Sequence, residues 1–179
     1  MTILITQRLE LVPVTVPLVQ AVLQDDRGEV SRLAGAKLPH PWPGRTLIER
    51  AFSASIEAIK SDPGRRLWGD RLLITREGHG ERRVVGSVVF HGSPSEAGVV
   101  EVGYGIDAGS QGQGFATEGV QAQVDWALAQ PGVCRVLATR WPLSHEHKKL
   151  LHAREFPSHV PPLLGYFTLP DNGKLLPVV

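Results

Sequence analysis

The chain reads as an α+β domain whose sheet is mostly antiparallel with one parallel crossover. Three observations predict this. Strand-like segments at 66–76, 82–90 and 99–106 follow one another across glycine-rich turns, an amphipathic helical pattern occupies 117–129, and another apolar strand-like run follows at 133–139. Strands joined by short turns pair antiparallel, whereas a strand, helix, strand unit returns in parallel.

At 179 residues and 42% apolar, one domain spanning 1–179 accounts for the whole chain. Nineteen basic residues against eighteen acidic ones give a net charge of +1, and no basic cluster is longer than Arg82 with Arg83 or Lys148 with Lys149. That argues against nucleic acid or an anionic membrane as partner. The N-terminal residues have no long apolar core and no run approaches eighteen apolar residues, so a soluble cytoplasmic protein is expected. The single cysteine, Cys134, excludes an intramolecular disulfide and is expected to pack as a small hydrophobe in a strand.

Residues 8–12 alternate polar and apolar as a half-buried first strand should, with Pro13 marking its end or an edge. Thr15 or Pro17 opens a helical pattern in which Leu18, Val19, Ala21 and Val22 share a face through Leu23. The run 25–28 looks like a break, and 29–36 could hold one or two more helical turns. Three prolines and Trp42 within 38–44 favour an extended loop, where Trp42 either pins the loop to the core or touches substrate. From the cap residue Thr46, the apolar spacing through Ile59 describes a helix that ends before Asp62. Gly78 and Gly80 fit a hairpin turn between the strands at 66–76 and 82–90.

The helix at 117–129 places Val120, Val124, Ala127 and Leu128 on one face, with Glu118 in its first turn. Gly119 costs this helix about 1 kcal/mol relative to alanine, so it points to close backbone approach. Glu118 and Asp125 are most simply solvated. Pro131 and Gly132 stop the helix, the strand 133–139 follows, and a histidine-bearing helix candidate covers 144–154. The tail holds one or two strands, and 175–179 could pair within the sheet or with another subunit, which makes a homodimer conceivable.

One stretch reads as chemistry. Between the strand 99–106 and the helix lies Gln111, Gly112, Gln113, Gly114, Phe115, Ala116, a glycine-rich turn that presents backbone amides at a helix start. Such a start binds phosphate or another anion. The six residues resemble the acyl-CoA binding signature of the GNAT acetyltransferases, Gln or Arg followed by x-x-Gly-x-Gly or Ala. Arg8-Leu-Glu-Leu resembles that family's first strand, Val84-Val-Gly-Ser-Val its third, Glu101-Val-Gly-Tyr-Gly-Ile its fourth, and Ala116-Thr-Glu-Gly-Val the start of its following helix. The resemblance covers nearly the whole chain through Phe156 and is closest to the ribosomal-protein N-terminal (RimJ/RimL-like) acetyltransferase branch.

The resemblance implies a mixed, mostly antiparallel sheet of six to seven strands flanked by helices, with one parallel pair splayed apart to receive the pantetheine arm. It implies acetyl-CoA as acyl donor, an amine acceptor, and a cofactor site built from Tyr104, Gly105, Ile106, Gln111, Gly112, Gln113, Gly114, Phe115, Ala116, Thr117 and Ser144. The segment 142–147 departs from the branch: Ser144 stands where an asparagine is usual, His147 where a serine is usual, and Glu155 replaces a glycine. That serine position is the family's candidate donor of a proton to the departing thiolate.

Acetyl transfer to an amine needs a neutral nucleophile, a polarised thioester and a proton source. Glu101, in an otherwise apolar strand beside the turn, is the candidate base, against the alternative of a solvent-facing glutamate. His147 is the candidate acid, with Ser144 as alternative. Backbone N–H groups of the splayed strand would polarise the carbonyl. His145, His147, His152 and His159 do not have metal-ligand spacing, so no metal is expected. The resulting expectation is an acetyl-CoA-dependent N-acetyltransferase working by direct transfer in a ternary complex; its competitor is a GNAT-fold acyl-CoA-binding protein with weak or lost catalysis.

Overall fold

Alternation along the central strands divides the molecule into two apolar layers. The computed structural model describes residues 2–40, 56–78, 80–139, 164–168 and 176–177. Strand β3 (Arg71–Thr75) is buried along its whole length, with Leu72 and Ile74 in one apolar cluster and Leu73 in the other. Strand β4 (Val84–Phe90) is likewise buried throughout, with Val84 in the first cluster and Val85, Val88 and Phe90 in the second. The first layer holds α1 (Val16–Leu23) and α2 (Arg27–Ala34), and the second holds the long helix.

The strands lie side by side in chain order. β1 (Leu4–Ile5) and β2 (Leu9–Pro13) precede β3 and β4, then come β5 (Val99–Ile106), β6 (Arg135–Thr139), β7 (Leu164–Thr168) and β8 (Leu176–Pro177). Six of these have five residues or more, and a two-residue strand extends each edge. Every pairing is antiparallel except β5 with β6, which are joined by the long helix crossing over the sheet. This is the predicted α+β sheet with its single parallel pair, and the tail strands pair within it.

Local chemistry sets the helix limits. Thr15 accepts the Leu18 N–H and caps α1, whose Leu18, Val19, Ala21 and Val22 are the buried face the spacing predicted. The expected break at 25–28 is narrower than its composition suggests. Asp25 alone is left-handed, at φ 55°, and Asp26 accepts the Glu29 N–H, so α2 starts at Arg27 and runs through Gly28. The helix expected from Thr46 is described only as α3 (Ile56–Ser61). A further turn, α4 (Pro63–Arg66), is capped by Asp62.

The strand expected over 66–76 starts only at Arg71. Gly69 is left-handed at φ 74°, and a Cβ there would stand 2.6 Å from the Trp126 ring and 2.7 Å from the Phe90 ring. Trp68 stacks on both rings with centroids 5.0 Å away, so this segment folds over the aromatic cluster rather than joining the sheet. Next to it Asp70 and Arg71 are fully buried. Asp70 accepts the Phe90 N–H at 2.7 Å, and Arg71 donates to the Gln123 side chain at 2.9 Å while lying 4.1 Å over Trp126. Burial raises the Asp70 carboxyl well above its ordinary range, against the pull of the Phe90 N–H and the Arg71 charge. Burial also lowers Arg71, to about 10, although Asp70 favours its charge.

The long helix, α5 (Phe115–Leu128), lies on β2 to β6. Val124, Ala127 and Leu128 are buried and Val120 half-buried, as the spacing required. A Cβ on Gly119 would stand 2.7 Å from Leu73 Cδ2, so the missing side chain lets the helix backbone approach the sheet. Cys134 corrects an expectation: it is exposed. Its N–H and that of Arg135 both reach the Gly98 carbonyl, at 2.7 and 3.1 Å, and the parallel ladder opens only at Val99 with Arg135, so Cys134 lies before the strand.

Gly119→Ala adds about 1 kcal/mol of helix propensity but overpacks Leu73 at a cost of about 1–3 kcal/mol. The expected net result is a lower urea midpoint at unchanged slope. A raised midpoint would mean that the helix lifts from Leu73 without cost.

Candidate active site

The site begins where β5 parts from β6. The parallel ladder pairs Val99 with Arg135, Val100 with Val136, Glu101 with Leu137 and Val102 with Ala138, while β5 runs on to Ile106. Residues 103–106 keep β4 as neighbour, through the pairs from Val89 with Gly103 to Gly86 with Ile106. Among the described residues they have no ladder partner in β6. The described pairing thus ends at the carboxyl end of the parallel strand pair, and β5 continues past it.

A compact turn links that strand end to α5. Asp107 precedes a 3-10 turn, Ala108–Ser110, and Ser110 is buried, donating to Asp107 Oδ2 at 3.0 Å and accepting from Arg83 Nη1 at 3.1 Å. The Gln111 and Gln113 side chains fold back, donating to the carbonyls of Ile106 at 3.1 Å and Gly109 at 3.3 Å. Gly112 and Gly114 are left-handed, at φ 74° and 80°, which an L side chain adopts only with strain. Gly114 is the N-cap of α5 and supplies no capping side chain. The first amides of the helix, at Phe115, Ala116 and Thr117, therefore face outward without an intrahelical acceptor. Left-handed glycines followed by open amides at a positive helix end fit a pyrophosphate.

The turn is held from below by the N-terminal strands. Glu118, expected in solvent, is instead half-buried in a bracket with Arg8 and Thr6. Its Oε1 accepts from Thr6 Oγ1 at 2.6 Å and from the Arg8 backbone N–H at 2.7 Å, and its Oε2 accepts from Arg8 Nε at 2.7 Å. Arg8 Nη1 then donates to the Gln113 carbonyl at 2.8 Å, and the guanidinium lies 4.8 Å over the Phe115 ring. Desolvation raises the Glu118 pKa, but the hydrogen bonds from Thr6 and Arg8 and the Arg8 charge outweigh it, and the net shift is downward. Arg8 touches the Gln113 to Gly114 turn from 105 residues away in sequence. Only a three-dimensional neighbour list could have identified this pair.

Of the residues singled out in the sequence, the fold gathers Tyr104, Gly105 and Ile106 on the carboxyl end of β5 and Gln111 to Thr117 on the turn that follows. Tyr104 is exposed and Glu101 half-buried, inside the paired part of the strand. Ser144 and His147 lie outside the described residues, as do the rest of the altered segment and Trp42. One residue that no motif flagged also belongs here. The His91 N–H donates to the Glu101 carbonyl at 2.9 Å, and a Cβ on Gly103 would stand 3.5 Å from His91 Nε2.

Comparison with known proteins agrees with this arrangement. The family model described as the acetyltransferase (GNAT) domain matches residues 8–151. The uncharacterized N-acetyltransferase YjdG of Bacillus subtilis (strain 168) is 26% identical over 138 residues, covering 77% of this chain and 79% of that protein. Among solved structures, an acetyltransferase from Agrobacterium tumefaciens aligns over 93% of each chain at 17% identity and a TM-score of 0.50. The ribosomal-protein-S5-alanine acetyltransferase of Vibrio fischeri aligns over 89% of this chain and 85% of that one, at 16% identity and the same TM-score of 0.50. These likenesses support the fold, and the family match spans the first long strand, the parallel strand pair and the glycine turn: the chain belongs to the GNAT acetyltransferases.

Proposed function

We propose that this protein is an acetyl-CoA-dependent N-acetyltransferase that moves the acetyl group to a primary amine, a protein or peptide N-terminus or a small amine, by direct transfer in a ternary complex. The observation that carries this reading is the left-handed pair Gly112 and Gly114 opening onto uncapped amides, directly after a strand whose described pairing with its parallel neighbour ends at Val102. The amides of residues 113–117 would hold the pyrophosphate, and Tyr104, Gly105 and Ile106 would border the pantetheine arm. The bound donor supplies an activated acetyl thioester. Relatedness to YjdG, an N-acetyltransferase by name, supports nitrogen as the accepting atom.

The acceptor's own pKa sets how much base is required. At pH 7, deprotonating an α-amine of pKa near 7.8 costs about 1 kcal/mol, whereas a lysine amine near 10.4 costs about 4.6 kcal/mol. Glu101, acting through a water, is sufficient for the first. His147, with Ser144 as alternative, remains the proposed proton donor to the thiolate.

Calorimetry should detect acetyl-CoA binding, and a CoA-release assay over N-terminal peptides and small amines should give turnover with α-amines favoured near neutral pH. Binding without turnover on any acceptor would leave an acyl-CoA-binding protein that has lost catalysis, and no binding would overturn both readings. A preference for a longer acyl donor would appear in the same assay.

Arg8→Gln removes the donor to the Gln113 carbonyl and should weaken acetyl-CoA binding about tenfold, or ~1.4 kcal/mol, with secondary structure retained. Unchanged affinity would show that the turn keeps its shape without Arg8.

Because the folded-state pKa of Glu118 is depressed, its contribution to stability is present above the unfolded carboxylate pKa and is lost as pH falls through the folded value. Glu118→Gln should therefore be less stable than the parent at pH 7, and the deficit should narrow below about pH 4. A deficit independent of pH in denaturant titrations would show that Glu118 acts through shape rather than charge.

A further inference from the structure

We infer that His91 is a catalytic residue of this acetyltransferase, its Nε2 taking the proton that the acceptor ammonium must lose, with Glu101 beside it to stabilise the resulting imidazolium. This deepens the reading above and rests on it, with the His91 imidazole in place of the water between the amine and Glu101.

Register and a missing side chain carry the argument. The β4–β5 ladder pairs Phe90 with Val102, and the His91 N–H to Glu101 carbonyl bond carries that register one step further. Paired residues project to the same face, so the His91 and Glu101 side chains are cross-strand neighbours. Phe90 and Val102 fill the apolar layer under α5, which puts His91, Glu101, Val89 and Gly103 on the other face. That face is turned away from the helix that follows the glycine turn.

Gly103 is the residue that places the imidazole. Its position lies diagonal to His91, and a Cβ there would touch the ring at van der Waals distance, with Nε2 3.5 Å and Val89 Cγ2 3.8 Å away, so the imidazole lies against the bare backbone of Gly103. Gly103 is also the first β5 residue past the last β6 partner, Val102. The imidazole therefore stands beside the point where the described β5–β6 ladder ends. His91 is exposed, so an amine can reach it, and Glu101 is half-buried beneath.

The chemistry fits an imidazole. A neutral imidazole has a ring nitrogen lone pair that accepts a proton from an ammonium, and a carboxylate on the same face stabilises the cation it becomes. The ammonium gives one proton to Nε2, and the neutral nitrogen attacks the thioester carbonyl carbon. The C–N bond forms, the C–S bond breaks, the thiolate takes a proton from the donor proposed above and leaves as CoA thiol, and the second proton lost by the nitrogen restores that donor. The imidazolium then returns its proton to solvent, so one amine and one thioester give one amide, one thiol and one released proton.

The charged groups around His91 are few among the described residues. Glu101 faces it across the ladder, Asp70 binds the adjacent Phe90 N–H, and Arg65 and Arg66 belong to α4, where the Arg65 carbonyl lies 3.6 Å from a would-be Cβ on Gly92.

The test compares wild type, His91→Gln and Glu101→Gln in CoA release from acetyl-CoA with an N-terminal peptide, as kcat and KM against pH. His91→Gln should lower kcat about a hundredfold, leave the KM for acetyl-CoA unchanged, and remove the acid limb of kcat; thermal melting checks that the variant is folded. An imidazole NMR signal that disappears in His91→Gln identifies the ring, and adding acetyl-CoA to wild type should move it. If kcat stays within threefold with the acid limb in place, or wild type binds acetyl-CoA without moving that signal, His91 is not the proton acceptor. A wild type that neither binds acetyl-CoA nor turns over overturns the function itself, and a wild type that turns over while His91→Gln is unaffected overturns only the role of His91.

Discussion

The bracket of Glu118 with Arg8 and Thr6 is the interaction on which the arrangement of the site depends. Left-handed glycines make a turn possible without fixing its position, since Gly112 has nothing within 4 Å of a would-be side chain. Position comes from outside the turn. One carboxylate accepts three hydrogen bonds from the N-terminal strands, and the same arginine reaches the Gln113 carbonyl and covers Phe115. A charge-assisted network of this kind is worth more than an exposed pair because part of it is removed from water. It ties the beginning of α5 to the first strands of the sheet.

The rest of α5 is held differently. There the contacts are Gly119 against Leu73, and then Gln123 and Trp126 against the buried Arg71. Asp70 Oδ2 and Arg71 Nε have no hydrogen-bond partner among the described residues, and each is an energetic cost carried by the packing around it. Both polar groups sit at the aromatic cluster of Trp68, Phe90 and Trp126, which fixes where β3 begins and β4 ends. The end of β4 matters for chemistry, because His91 follows Phe90 directly and its backbone continues the ladder to Glu101. A structural cluster on one face of the sheet thus sets the position of an imidazole on the other.

The proposed proton chemistry and phosphate binding are separated along β5. Its carboxyl end leads into amides suited to an anion, and Glu101, paired with β6, is the cross-strand neighbour of His91. The separation is a few strand residues at about 3.4 Å each. An extended arm between a pyrophosphate and a thioester would span such a separation, which is why a strand that continues past its described parallel pairing suits this family's donor.

Much of this was legible in the sequence by itself. Period-two alternation, the helical spacing of Val120, Val124, Ala127 and Leu128, and turn glycines gave the element order, because burial of one face imposes those periods. The glycine pair before Phe115 marked the candidate cradle, and both glycines are left-handed at the helix start. What only the tertiary structure decided were contacts between distant residues. Glu118 reads as a first-turn acid that any helix could carry, until Arg8 is folded beside it. His91 reads as a turn residue until the β4–β5 register sets it against Glu101 and the empty side of Gly103. Cys134 reads as core until the ladder begins one residue later. Local patterns record which face of an element is buried, whereas the identity of the partner depends on register and packing, which no single segment encodes.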